Sequence, residues 1–136
     1  MINNDARALR GTLRIAFGFL MLSGGIMHFT IDASRWHLPL IDALKATGYM
    51  WELIGVINMA GGAVLLIGRF VPLALIALAP ISLNILLVHL ANPGAGGIPI
   101  GLIIVGLHLT LGWHYRLAYR RFLSTNLRLE PSRAPG

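Results

Sequence analysis

Between Phe70 and Ala91 the chain runs for 22 residues, FVPLALIALAPISLNILLVHLA, without an acid, a lysine or an arginine. At about 1.5 Å per residue, a helix of that length reaches across a hydrocarbon core of roughly 30 Å. A transmembrane helix is therefore expected here. Three residues within it, Pro80, Asn84 and His89, go beyond what lipid contact requires, because a polar group in hydrocarbon needs a partner. Pro80 is expected to bend the helix and to free the carbonyl near residue 76, with Ser82 or a neighbour satisfying it.

The rest of the sequence agrees with lipid as solvent. Hydrophobic residues make up 56% of the 136 and charged residues 12%, whereas a soluble domain carries about 25% charge. A chain of this size has room for one domain. With no cysteine, disulfides, thiolate nucleophiles, iron–sulfur clusters and dithiol relays are excluded. Four apolar segments stand out: Ile15–Ile31, Met50–Gly68, Phe70–Ala91 and Ile98–Tyr115.

The net charge of +6 is distributed in a way that speaks for topology. Arg7, Arg10 and Arg14 precede the first segment, Arg69 separates the second from the third, and Arg116, Arg120, Arg121, Arg128 and Arg133 follow the fourth. Arg35 and Lys45 are the basic residues of the opposite side. The positive-inside rule then places both termini in the cytoplasm, and four crossings satisfy that parity. The basic surplus reads as a topology signal and a contact for anionic lipid, not a nucleic-acid footprint.

The expected fold is all-α: a polytopic membrane protein with a four-transmembrane-helix bundle over residues 1–123 and a disordered cytoplasmic tail over 124–136. Residues 1–10 are polar and expected to be frayed or interfacial. Gly11, Gly18 and Gly25 recur every seven residues and offer a smooth stripe to a neighbouring helix. Between the first two spans, Pro39 suits a first helical position and Gly48 a C-terminal stop. Leu40, Ile41 and Leu44 share a face, and Asp42 and Lys45 are three residues apart, which predicts a short amphipathic helix on the outer surface. Glu52, Gly55, Met59 and Gly62 share a face of the second span. The short turn at Gly68 and Arg69 makes the second and third spans antiparallel neighbours. In the fourth span, Gly101, Val105, His108 and Gly112 share a face.

Counting from the outer ends, His28, Glu52 and His89 fall within about one turn of the boundary, Asn58 and Asn84 roughly 10 Å below it, and His108 near 15 Å. This concentration suits a site opening to the outer leaflet. Histidine and glutamate exchange protons near neutral pH, and asparagine holds a carbonyl or hydroxyl. Together they suit a quinone headgroup, a proton path or a polar solute. The plainer reading is that they hold helices together or are hydrated at the interface. No two histidines stand at i,i+4 on one helix face, so no metal site is expected. No Ser-His-Asp set, phosphate-binding loop or paired catalytic carboxylates can be picked out.

With these residues in place, the chain from about Arg14 to Phe122 resembles the DoxX / DoxX-like family of small four-span membrane proteins. The segment GRFVPLALIALAPISLNILLVHLANP carries the resemblance, with WELIGVINMAGGAVLLIG ahead of it and LAYRRF behind. Gly18 to His28 fits the end of the family's first span more loosely. The founding members are similar to a subunit of an archaeal thiosulfate:quinone oxidoreductase, and others act as membrane partners of redox and sulfur-handling enzymes. The resemblance thus implies a cytoplasmic-membrane subunit of a redox system, with quinone as the ligand and redox enzymes or further copies of the chain as partners. Glu52, Asn84 and His89 are the positions that match the family pattern. The thiol chemistry of some relatives is at odds with the absence of cysteine here. The alternative is a non-catalytic scaffold that anchors partner proteins.

Overall fold

The computed structural model describes residues 2–32, 38–92 and 97–119. The expected tail at 124–136 and most of the loop expected between the third and fourth apolar segments lie outside them. The described residues form helices and turns: α1 (Ile2–Thr30), α2 (Pro39–Ala46), α3 (Met50–Ile67), α4 (Val71–Ala91) and α5 (Ile98–His114). α1, α3 and α4 are long and apolar enough to cross a membrane; α5 is apolar but has 17 residues. The chain is thus a multi-pass membrane protein by the length and composition of its helices.

α1 begins well before the expected boundary at Ile15, and residues 2–10 are helical. Polarity does not fray this segment because Ala6, Arg7, Ala8, Leu9 and Arg10 are good helix formers and Asp5 complements the positive end of the helix dipole. At its other end α1 meets α3 in an antiparallel pair whose contacts recur in matching steps. A Cβ on Gly18 would lie 3.0 Å from the Gly62 carbonyl oxygen, and one on Gly25 would lie 2.8 Å from that of Gly55. The backbones can approach only because both sides of the contact are bare. Gly11, the third member of the expected stripe, faces open space, since α3 has already ended opposite Arg14.

That ending is built from three residues. Gly68 turns left-handed (φ 81°) and its N–H donates to the Val64 carbonyl. The Arg14 guanidinium donates to the Leu65 carbonyl and, at 3.1 Å, to that of Leu66. A side chain at Gly68 would collide with this guanidinium, so the glycine both permits the turn and leaves room for the cap. Phe70 is also left-handed (φ 57°) and leads directly into α4, which returns antiparallel along α3. Gly61 receives Leu78 at that contact.

α5 packs against α4, where Gly101 lies against Leu86, and against α1, where Arg10 stacks over Tyr115 at 5.5 Å. One apolar core results, drawn from α1 (Phe17, Met21), α3 (Leu65), α4 (Val71, Ala74, Leu75, Leu78) and α5 (Ile104, Leu111). Helix α2 matches the expected amphipathic helix in extent. Its buried contact is Ile41 on Trp51, flanked by Leu38 and Leu44, while Leu40 is exposed. Lys45 pairs with Asp32 at 3.4 Å rather than with Asp42.

Candidate functional site

At the end away from Arg14, α1 and α3 are joined by a reciprocal pair of bonds. The His28 Nδ1–H donates to the Trp51 carbonyl at 3.0 Å, and the Trp51 indole N–H donates to the His28 carbonyl at 3.0 Å. Because a carbonyl can only accept, the proton of a neutral His28 sits on Nδ1 and its Nε2 is left as an acceptor. The rings stack at 4.0 Å, tilted by 36°. Gly55 makes this possible, since a Cβ there would lie 2.8 Å from the His28 Cβ. Glu52 follows Trp51 on the exposed side.

His89 lies on the other helix pair. Its Nδ1–H donates to the Ile85 carbonyl of its own helix at 2.7 Å, and its ring occupies the space that a side chain on Gly97, at the start of α5, would need. Asn92 likewise donates back to Val88 at 2.9 Å. These bonds follow from helix geometry, which brings a side-chain donor within reach of the carbonyl one turn back.

A third polar group lies at mid-helix. Ser82, 2% exposed, meets His108 Nδ1 at 2.9 Å, and the edge of the Phe17 ring meets the His108 ring at 5.5 Å. Ser82 therefore serves a neighbouring helix, not the carbonyl freed by Pro80. Asn58 is 3% exposed, and its Oδ1 is buried without a hydrogen-bond partner among the described residues. The contact of Gly61 with Leu78 fixes the antiparallel register, so Asn58, one turn back along α3, and Ser82, one turn on along α4, fall at the same level. An orphaned amide oxygen in a dry core is costly. It is the feature of this core most suited to an incoming donor.

Asn84 stands apart. It is exposed on α4, two residues and about 200° around the helix from Ser82. Among the described residues, no hydrogen bond joins any two of His28, Glu52, Asn58, Asn84, His89 and His108. His28 and Glu52 belong to the α1–α3 end, His89 to the α4–α5 end, and Asn58 and His108 to the middle. Two open depressions, of about 360 and 350 Å³, lie at the opposite, basic end. The first is lined by Ala6, Arg7, Arg10 and His114, the second by Val64, Ile67, Arg69 and Phe70.

Three participants were not singled out as site residues from sequence: Ser82, Trp51 and Arg14. Ser82 had a signal, since Val71, Ala74, Leu75, Leu78 and Ser82 are the buried positions of α4 and follow helical spacing. That face is hidden in the sequence because the remaining positions of α4 are almost as apolar. Comparison with known proteins finds no matching family model, no matching curated protein and no matching solved structure.

Proposed function

We propose that this chain is a DoxX-like integral protein of the cytoplasmic membrane, with four crossings and both termini on the cytoplasmic side, acting as a non-catalytic membrane scaffold that anchors partner proteins. One observation carries the scaffold reading. Each described histidine spends its Nδ1 inside the protein: His28 on Trp51 of α3, His108 on Ser82 of α4, and His89 and His114 on the carbonyls of Ile85 and Thr110 in their own helices. The histidines that suit a ligand are thus used to lock helix to helix or fold back on their own helix. The resemblance of residues 68–93 to the family and the basic residues gathered at one end support the remaining parts of the proposal.

A second reading is favoured by Asn58. Its unpartnered Oδ1 lies level with the Ser82–His108 pair and would accept from a hydroxyl of a reduced quinone, making the chain a membrane subunit of a quinone-linked redox system. In this reading the ligand would lie beside the Ser82–His108 pair, and Asn84 on the exposed side plays no part in it.

Mass spectrometry of small molecules extracted from the protein in native-lipid discs separates the two. The scaffold reading expects no quinone enriched over bulk lipid and one or more proteins retained in stoichiometric amount. A quinone held near one per chain, and lost in Asn58→Leu, would replace it with the redox reading.

A further inference from the structure

Asn84, exposed on α4, is an uncharged polar side chain in the interior of a span, and among the described residues it has no hydrogen-bond partner. Thr110, exposed on α5, donates to Gly106 at 2.7 Å, and Thr12 and Thr30 on α1 donate to Ala8 and Ile26 at 3.1 Å. Asn84 makes no such bond among the described residues, although it lies seven residues, or about 10 Å, inside the end of α4 at Ala91. An amide at that depth is in hydrocarbon, where its donors and acceptor have no water.

The surface around it has a pattern. Leu73, Ala77, Pro80, Asn84, Leu87 and Ala91 are all exposed, and they recur in alternating steps of four and three residues. This is the spacing of a coiled-coil seam. One set of positions carries Ala77, Asn84 and Ala91; the other carries Leu73, Pro80 and Leu87. The alanines let two helices approach, and a single asparagine among apolar seam residues is the device that fixes register and copy number. Pro80 adds to the need for cover, because it has no N–H to give the Ile76 carbonyl and Ile76 is 59% exposed.

What covers this seam follows from the chemistry of the amide and the geometry of a membrane. A primary amide is both donor and acceptor, so it is complementary to itself. Two copies inserted in one orientation are related by an axis along the membrane normal. Their α4 helices run parallel and Asn84 meets its equivalent at the same depth. We propose that the outward face of α4 is a homodimer interface, a parallel pair of α4 helices held in register by Asn84 of each copy. This rests on insertion in a membrane and is independent of whether the protein is a scaffold or binds a quinone.

The absence of cysteine allows a clean test on the full chain in native membranes. Ala91→Cys places a thiol on the seam near its watery end; Met27→Cys places one on α1, across the core from α4, at a position 40% exposed. Oxidation is expected to give a disulfide-linked dimer from Ala91→Cys and monomer from Met27→Cys. In lipid discs, Asn84→Leu is expected to weaken dimerisation roughly three- to tenfold, the range for one interhelical polar pair, while Asn84→Gln, which keeps the amide, retains it. Cross-linking from Met27→Cys but not Ala91→Cys, monomer from both, or undiminished dimer in Asn84→Leu would each overturn the proposal.

Discussion

Arg14 offers the most discriminating test of how this fold is held. Its guanidinium donates to two carbonyls at the end of α3, Leu65 and Leu66, which no later residue of that helix can serve. Hydrogen bonds from a charged donor contribute about 1.5–3 kcal/mol each, and ordering the arginine side chain offsets about 2 kcal/mol of the pair. Arg14→Met should therefore destabilise the protein by about 1–4 kcal/mol. Arg14→Lys keeps a positive charge at the negative end of the helix dipole, which retains about 0.3–1 kcal/mol, but loses the two-pronged donor. It should fall between wild type and Arg14→Met. Gly68→Ala acts on the same contact from the other side, because its Cβ needs the space of the guanidinium and φ is 81°. Left-handed backbone alone costs alanine about 1–2 kcal/mol. The assay is equilibrium unfolding in mixed micelles for the three single variants and for the double variant Arg14→Met with Gly68→Ala. The double variant should cost less than the two single effects added together, by more than about 0.5 kcal/mol. Strict additivity, or an Arg14→Met variant within about 0.5 kcal/mol of wild type, would show that the cap does not stabilise the fold.

Two glycines that look alike in sequence should answer oppositely to alanine. Gly62→Ala puts a methyl 2.7 Å from the Gly18 carbonyl oxygen, where backbone must move, and should cost about 1–3 kcal/mol; Gly106→Ala meets nothing within 4 Å and should gain about 0.5–1 kcal/mol, both read by the same unfolding assay. Tyr119, beyond the end of α5, donates its hydroxyl to the Pro72 carbonyl at 3.4 Å, and burial pushes its phenol above the usual value. The neutral phenol is favoured by folding, so its contribution is intact below about pH 10 and is lost as pH rises beyond that. Thermal stability should decline more steeply above pH 10 in wild type than in Tyr119→Phe, and equal slopes would remove Tyr119 from the account.

Much of the architecture is legible in the sequence because hydrocarbon leaves the backbone few options. The α3 and α4 boundaries follow the apolar segments closely, α2 runs from Pro39 to just before Gly48 as its turn residues predict, and the antiparallel return at Gly68 follows from the length of the turn. The facing glycines Gly18, Gly25, Gly55 and Gly62 were recognisable as sites of close approach. The start of α1 was not, since residues 2–10 are polar and helical at once. The candidate site was legible by composition and not by arrangement. His28, Asn58 and His108 do enter the packed structure, Asn84 points out of it, and the partners Trp51 and Ser82 emerge only when helices are set side by side.

The sequence by itself determined the solvent, the number and polarity of the apolar segments, and the gathering of positive charge at one end, because each depends on runs of residues and not on neighbours in space. Which face of α4 turns inward, whether Arg14 marks topology or also caps α3, and whether a polar residue in a span finds a partner were decided by tertiary structure alone. In a helix apolar on every side, periodicity carries no direction. The choice between Ser82 inward and Asn84 outward is made by the rotation at which α4 seats Leu78 against Gly61.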